Sequence, residues 1–397
     1  MLEVRELSVD DLAAAWELGR LAFGAPSAAP APHALSPVPG MVRYGAFDAH
    51  GRLVGKAVDL HHEQWWSGRR VAAADVAGVA VLPEARGGGV ARALLTRLLA
   101  GARERGAAIS ALYPTVTAPY RACGWEVVGS LRTVDLSTAA LPRHRPAAHL
   151  TVRPAGPADL PAVADTYERL TRHRCGLLTR DGPIYDHFST PERLPPDTDG
   201  VTLVEDGDGL LGYFTWERGT GYDATAVLTV PEILATGPDP ARALIGVLAS
   251  WQSVAPTLRL VLLSHDAIST HLPVEVVREH RQQPWMHRPV DVVRAVRDRG
   301  WPAHVRGTVD FALRDDAAPW NTGSWRLEVA DGAAELHPSS AEPALTLAVR
   351  GFALLYAGAA RAASVAAAGL LRCAGGADPA ALDLLGAGPP AELLDYF

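Results

Sequence analysis

A run of three glycines behind an arginine is where residue types and spacing first indicate chemistry. Residues 79–92 read Val-Ala-Val-Leu-Pro-Glu-Ala-Arg-Gly-Gly-Gly-Val-Ala-Arg. Glycines leave backbone N–H groups unshielded, and a following helix adds the unpaired N–H groups and positive dipole end of its first turn. The segment is therefore predicted to bind an anion, and phosphate suits it best. A glycine-rich turn without a ligand is the alternative interpretation.

The residues on either side predict the elements that position this turn. The apolar run 76–82 has the length of a strand, and the residues at helical spacing after the glycines are Val90, Leu94, Leu95, Leu98 and Leu99. The glycines thus lie between a strand and a helix. Two nucleotide motifs are excluded, because a P-loop ends in Gly-Lys-Ser/Thr and a dinucleotide fingerprint needs a glycine where Arg92 stands.

The remaining pattern, Arg86-x-x-Gly89-x-Ala91, resembles the pyrophosphate loop of the GNAT superfamily of acyl-CoA N-acyltransferases. The resemblance implies acetyl-CoA as cosubstrate. It also implies that the strand before the loop splays from its neighbour, so that its backbone N–H groups receive the pantetheine arm and the thioester oxygen. The cofactor-binding residues implied on the strand and loop are Val79, Ala80, Val81, Arg86, Gly87, Gly88, Gly89, Val90, Ala91 and Arg92.

A second motif follows the next strand, where Tyr120 stands four residues before Gly124. This spacing resembles the end of a GNAT domain, in which the tyrosine hydroxyl faces the CoA sulfur. The resemblance implies that Tyr120 is the general acid and that Thr115 and Val116 flank the pantetheine. A packing tyrosine is the alternative. Cys123 has no recognisable histidine partner, which favours a buried structural thiol over a nucleophile.

Composition narrows the class of protein. The chain has 397 residues, enough for two or three domains, and its net charge of −7 argues against nucleic acid as a partner. Its three cysteines form no C-x-x-C, which argues against a disulfide framework and against a metal site of the zinc type. The sequence lacks a recognisable signal peptide and a membrane-length apolar run, which predicts a cytoplasmic protein without a membrane partner.

Part of the chain repeats. Val4-Arg5 with Asp11-Leu12 matches Val152-Arg153 with Asp159-Leu160 at a constant offset of 148 residues. Residues 146–290 are therefore interpreted as a second copy of the plan in residues 1–145, with chance similarity as the alternative. The loop of the second copy is expected at residues 230–234, which lack the R-x-x-G-x-G/A pattern, so no CoA is expected there. Residues 291–397 form a third unit, in which Asp331-Gly332 predicts a tight hairpin turn.

These three units in this order resemble the Eis (enhanced intracellular survival) family of bacterial acetyltransferases. The resemblance implies an α/β (α+β) fold: a GNAT domain at 1–145, a degenerate GNAT-like domain at 146–290 and a sterol-carrier-protein-like domain at 291–397. It implies acetyl transfer to primary amines of aminoglycosides and related polyamines, hence antibiotic resistance, within a homohexamer. The C-terminal carboxylate of Phe397 is expected to enter the active site as general base, with direct transfer in a ternary complex.

Two other function classes remain open. One is a pathway-specific N-acyltransferase of specialised-metabolite biosynthesis or self-resistance, which would use the same chemistry on one amine. The other is a non-catalytic lipid-binding protein that uses its third domain. The small-molecule amine acceptor itself is not encoded in any recognisable motif of the sequence.

Overall fold

The computed structural model describes residues 2–24, 29–188 and 198–397. Within these ranges the chain forms two β-sheets, one of 13 strands and one of five. No helix in the described part of the chain is long and apolar enough to cross a membrane.

The first part of the chain builds one edge of the large sheet and carries the glycine-rich loop. Its elements are β1 (Glu3–Glu6), α1 (Leu12–Phe23), β2 (Met41–Phe47), β3 (Leu53–Trp66), β4 (Arg69–Val81), α2 (Val90–Glu104), β5 (Ile109–Leu112), α3 (Ala118–Arg121) and β6 (Glu126–Ser137).

Helix α2 forms where its apolar spacing predicts it. The five residues that define this spacing are all buried, with at most 5% of their surface exposed: Val90, Leu94, Leu95, Leu98 and Leu99. They pack on β2, β3 and β4, so this face of the helix stabilises the strand that precedes the loop. Helix and strand thereby hold the two ends of residues 82–89 in place.

The middle of the chain builds the other edge of the large sheet. Its elements are β7 (Thr151–Pro154), α4 (Leu160–Thr171), β8 (Cys175–Leu178), α5 (Pro183–Phe188), β9 (Gly200–Asp206), β10 (Gly209–Arg218), β11 (Val227–Ala235), α6 (Pro238–Ser250), β12 (Thr257–Leu262) and β13 (Arg278–Pro289).

The internal repeat appears in the structure at the same offset. The bounds of β7 and α4 are those of β1 and α1 moved by 148 residues. Arg5 pairs with Asp11 at 2.7 Å, and Arg153 pairs with Asp159 at 2.8 Å, so the same ion pair closes each strand-to-helix turn. Chance similarity does not account for two identical local structures.

The two copies share one sheet by exchanging their last strands. The strand order is β1-β2-β3-β4-β5-β13-β6-β12-β11-β10-β9-β7, with β8 attached to β3. Strand β13, late in the chain, pairs with β5, whereas β6 pairs with β12 and β13. The sheet therefore crosses the expected boundary at residue 145, and neither copy completes its pairing alone. The boundaries themselves stay predictions.

The expected position of the second loop is wrong. Residues 230–234 lie inside β11, where Ile233 and Leu234 are buried and pair with β10. The link from β11 to α6 is only Thr236 and Gly237. The apolar residues continue strand β11, so Pro231 does not mark a turn. Pro83, in contrast, begins the turn that follows β4.

The last part of the chain forms the five-stranded sheet, in the order β16-β15-β14-β17-β18. Asp331 and Gly332 both have positive φ, 52° and 80°, and join β15 to β16 in the predicted tight hairpin. The elements are α7 (Val292–Asp298), β14 (Gly307–Arg314), β15 (Gly323–Ala330), β16 (Ala333–Pro338), β17 (Leu345–Ala348), α8 (Val349–Tyr356), α9 (Ala362–Ala367) and β18 (Leu371–Cys373).

Buried ion pairs join this last unit to the large sheet. Arg288 on β13 pairs with Asp315, and both side chains are fully buried. Glu126 on β6 accepts hydrogen bonds from Arg350 on α8. One apolar cluster also includes residues of both sheets. The last unit is therefore packed against the large sheet.

Candidate active site

Strands β4 and β5 pair over a short stretch and then separate. Their parallel pairs run from Ala73–Ile109 to Val76–Leu112, whereas β4 continues to Val81. Gly78, at φ +56°, lies in a bulge where two residues of β4 oppose one residue of β3, which bends β4 at this point. The two strands therefore form a fork after Val76 and Leu112, and residues 77–81 of β4 have no pairing to β5. This is the strand divergence that the GNAT resemblance implies.

The loop after β4 exposes backbone at the start of α2. A single turn of 3-10 helix, Pro83–Ala85, leads to Gly87 and Gly89, which have φ values of +79° and +78°. Gly89 is the N-cap of α2, and neither a side-chain cap nor an acidic first-turn residue is present there. A Cβ at Gly87 or Gly89 would meet no atom within 4 Å. This open, uncapped helix terminus fits a diphosphate.

The predicted cofactor-binding residues differ in how far their side chains are accessible to a ligand. Val90 is buried in the core, so only its backbone is available to a ligand. Arg86 is exposed and donates a hydrogen bond from Nε to the carbonyl oxygen of Val81 at 3.3 Å. This bond keeps the guanidinium group beside the loop. Arg92 is exposed in the first turn of α2. Val79 and Val81 are half-buried beside the fork.

Tyr120 lies in the short helix α3, on the core side of the loop. It is 9% exposed, belongs to the apolar cluster against which Val79 and Val81 pack, and contacts the ring of Trp125 edge-on. Its hydroxyl has no hydrogen-bond partner among the described residues, and burial raises its pKa to about 12. Thr115 and Val116 lie exposed between β5 and α3.

The C-terminal segment is tied to the middle of the chain. Ala391 forms a bridge with Cys175, and Glu392 pairs with Arg174 at 2.6 Å. Asp395 accepts a hydrogen bond from Nε of Arg180 at 2.9 Å. These contacts are made by β8 and the residues beside it. The second copy therefore holds the C-terminal segment, called the tail below, in position.

Phe397 lies at the fork. Its ring contacts the ring of Tyr113 edge-on at 5.5 Å and packs against the apolar cluster to which Ala77 also belongs. Tyr113 directly follows the last paired residue of β5, and Ala77 directly follows the last paired residue of β4. The structure therefore brings the last residue of the chain to the point where the two strands separate.

A histidine and an aspartate that were not among the predicted catalytic or cofactor-binding residues lie beside this site. Nδ1 of His62, on β3, lies 2.9 Å from Oδ2 of the fully buried Asp75 on β4. The His62 ring also contacts the ring of Phe397 edge-on at 5.5 Å. The only available signal was that His61 and His62 must face opposite sides of a strand. No spacing rule links His62 to Asp75, because they meet through pairing of two strands.

Comparison with known families agrees with this geometry. Residues 3–128 match the family model described as an acetyltransferase (GNAT) domain, and residues 292–391 match a sterol carrier protein domain. The chain thus has a GNAT domain at its N-terminus and a sterol-carrier-protein-like domain at its C-terminus. The predicted fold class and the predicted enzyme class, an N-acetyltransferase, are confirmed. The GNAT domain implies acetyl-CoA as cosubstrate and a small-molecule acceptor.

Two relatives that match most or all of the chain are also named as N-acetyltransferases. A protein of Streptomyces coelicolor named as an uncharacterized N-acetyltransferase is 28% identical over 325 residues, which cover 77% of this chain and 76% of that protein. A GCN5-related N-acetyltransferase from Kribbella flavida is 29% identical, with a TM-score of 0.81 over 100% of this chain and 98% of that chain. Eis1 from Mycobacterium abscessus, 21% identical, shares the fold over 100% of both chains with a TM-score of 0.76.

Proposed function

We propose that this GNAT-type N-acetyltransferase is an Eis-type enzyme that transfers the acetyl group of acetyl-CoA to primary amines, chiefly those of aminoglycosides and related polyamines. The observation that carries the proposal is the position of Phe397 at the fork of β4 and β5. In a GNAT domain this fork receives the thioester, so a carboxylate at Phe397 would meet the incoming amine beside the acyl group.

The binding roles follow the geometry of strand and loop. The uncapped N-terminus of α2, with Gly87 and Gly89, would hold the pyrophosphate of CoA, and Arg86 would add its positive charge. Backbone N–H groups of residues 79–81 would take the pantetheine arm and the thioester oxygen, which also stabilises negative charge that develops there. The exposed residues 115 and 116 would flank the pantetheine.

Proton transfer needs a base and an acid. An alkyl ammonium cannot attack a thioester until it loses a proton, and the Phe397 carboxylate would attract and orient this cation. Tyr120 would protonate the departing thiolate as general acid, since its pKa of about 12 keeps the hydroxyl protonated at neutral pH. Burial raises the pKa of the Cys123 thiol, which disfavours a thiolate nucleophile and supports direct transfer without a covalent enzyme intermediate.

The remaining parts of the proposal rest on the Eis resemblance. They are a homohexamer, a cytoplasmic location and a role in antibiotic resistance. Residues 1–145 would bind acetyl-CoA, residues 146–290 would act as a degenerate copy that supports the tail, and residues 291–397 would deliver the terminal carboxylate. The contacts of Arg174 and Arg180 with the tail support this division of tasks.

The test is thiol release from acetyl-CoA by the protein with an untagged C-terminus, across aminoglycosides, polyamines and simple alkyl or aryl amines. Release with several aminoglycosides is the expected result. Release with one amine alone would favour a pathway-specific enzyme. Absence of both thiol release and CoA binding, with lipid bound to the purified protein, would replace the proposal with a lipid carrier.

A further inference from the structure

We propose that His62, held by Asp75, is the general base that removes the proton from the acceptor ammonium, while the Phe397 carboxylate binds and orients that ammonium. This inference rests on the proposed function and adds a catalytic pair to it. Three observations carry it: the bond between His62 and buried Asp75, the free nitrogen on the other side of the imidazole ring, and the contact of that ring with Phe397.

Asp75 orients the imidazole. Its Oδ1 accepts hydrogen bonds from the backbone N–H of Ala111 at 3.1 Å and from the Gln64 amide at 3.4 Å. Its Oδ2 faces Nδ1 of His62 at 2.9 Å. A fully buried carboxylate requires hydrogen-bonding or charged partners, and no arginine or lysine reaches Asp75 in the described ranges. We therefore assign the proton of neutral His62 to Nδ1 and the lone pair to Nε2.

The second nitrogen is available for proton transfer. Nε2 of His62 has no hydrogen-bond partner among the described residues, and 12% of the side chain is exposed. His62 shares its face of β3 with Leu60, whose apolar cluster includes Phe397. His61 points to the opposite face, where its own Nε2 is buried without a hydrogen bond and lies 3.8 Å from Oδ2 of Asp59. Of the two adjacent histidines, only His62 is placed beside the fork.

The proton balance gives His62 one defined step. An acceptor ammonium loses two protons when it becomes an acetamide. His62 Nε2 takes the first, which frees the nitrogen lone pair, and the new C–N bond then forms as the C–S bond breaks. The second proton leaves the amide nitrogen and ends, through Tyr120, on the CoA sulfur. The first proton passes from His62 to solvent and is the net proton that the reaction releases.

An imidazole suits this step better than a carboxylate does. The reference pKa of an α-carboxyl group is about 3.3–3.7, and that of an imidazole is about 6.5, so the imidazole has much the larger affinity for a proton at neutral pH. Efficient general bases have a pKa near the working pH, and they contribute about 10²–10⁴-fold to the rate. The carboxylate of Phe397 then keeps the task of attracting a cation, which needs charge rather than basicity.

The ionisable groups that interact electrostatically with His62 are Asp75, Asp59, Asp395 and the neighbouring His61. Arg105 binds Asp59 through two hydrogen bonds, and Arg180 binds Asp395, so Asp75 is the carboxylate left to compensate the new charge.

The experiment compares three variants of the full chain in thiol release from acetyl-CoA. H62F keeps a ring beside Phe397 but removes the base, and D75N keeps the geometry but favours the wrong imidazole tautomer. H61F is the matched control on the opposite face of β3. We expect kcat/KM for an alkyl amine to fall about 10²-fold or more in H62F and D75N, with unchanged CoA binding, and to stay near the wild-type value in H61F.

Two readouts separate a base from a packing residue. An arylamine is uncharged at neutral pH, so its acetylation should be far less affected by H62F than that of an alkyl amine. The acidic limb of the pH profile of kcat/KM should also change in D75N. Equal losses for both amines, or full activity in H62F and D75N, would overturn the role of His62. H62N replaces H62F if the latter does not fold, and an inactive wild type would instead count against the proposed function.

Discussion

The hydroxyl of Tyr113 donates a hydrogen bond to the backbone carbonyl of Asp395 at 3.0 Å. This bond joins the residue that follows β5 to the C-terminal segment two residues before its end. The ring of Tyr113 also contacts the rings of Tyr396 and Phe397, so this one side chain contacts each of the last three residues. Burial raises the pKa of this tyrosine, which keeps its hydroxyl a donor at any physiological pH.

A peptide tag added after Phe397 should abolish turnover and leave CoA binding intact. The tag converts the terminal carboxylate into an amide and adds bulk at the fork, whereas the loop at Gly87 and Gly89 is remote in sequence and untouched. We expect kcat to fall by about 10²-fold or more, measured by thiol release, with the Kd for CoA measured by calorimetry. The same tag before Leu2 is the control, and full turnover with the C-terminal tag would contradict the role of the carboxylate.

Replacement of Tyr120 by phenylalanine should slow transfer without weakening CoA binding. The ring keeps its packing on Trp125, and only the hydroxyl is lost. General acid catalysis accounts for about 10²–10⁴-fold in rate, so kcat should fall within that range. Because burial raises the pKa of Tyr120 to about 12, the wild-type profile should show no loss of rate from this residue between pH 6 and about 10. A Y120F enzyme with normal kcat would assign the hydroxyl no part in the reaction.

Gly89 and Gly88 offer a matched pair for the loop. Gly89 has φ +78°, a conformation that costs an L-residue roughly 1–2 kcal/mol, whereas no positive φ occurs at Gly88. G89A should therefore distort the start of α2 and raise the Kd for CoA by about tenfold. G88A should change it little. Equal effects of the two substitutions on CoA binding, measured by calorimetry, would place the phosphate site elsewhere.

His287 should make the protein sensitive to acid. The side chain is fully buried, neither ring nitrogen has a partner among the described residues, and the ring stacks on Tyr356 at 5.4 Å. Burial, followed by the charges of Arg299 and Arg288, lowers its pKa to about 3. The pKa of an unfolded histidine is about 6.5. Between this pKa and the pKa of about 3 in the folded state, only the unfolded state binds the proton, so the free energy of unfolding falls as the pH is lowered.

Substitution of His287 by phenylalanine tests this directly. The apolar ring removes two unsatisfied polar atoms, and we expect the free energy of unfolding at neutral pH to rise by about 1–3 kcal/mol. The loss of stability between pH 7 and pH 5 should also become smaller than in the wild type. Urea denaturation at both pH values gives the measurement, and the exposed His50 supplies a control in H50F. An unchanged slope would show that His287 takes no part in the acid response.

Local features were predictable from the sequence, since their causes lie within a few neighbouring residues. The glycine loop, the buried face of α2 and the turn at Asp331 follow from backbone sterics and helical spacing. The position of the second loop was not predictable in the same way. Residues 230–234 contain a proline that is typical of a strand end, but β10 pairs with residues 232–235 and extends β11 to Ala235.

The groups that meet at the fork come from distant parts of the chain. His62 meets Asp75 because β3 and β4 pair in one register, and His62 meets Phe397 because Arg180 and Tyr113 hold the C-terminal segment. The exchange of β6 and β13 likewise depends on pairing between remote strands. A sequence encodes a turn or a helix face through the conformational limits of adjacent residues. Long-range contacts arise only when the whole chain has packed, so the glycine-rich loop between strand and helix could be predicted from the sequence alone, whereas the neighbours of Phe397 required the tertiary structure.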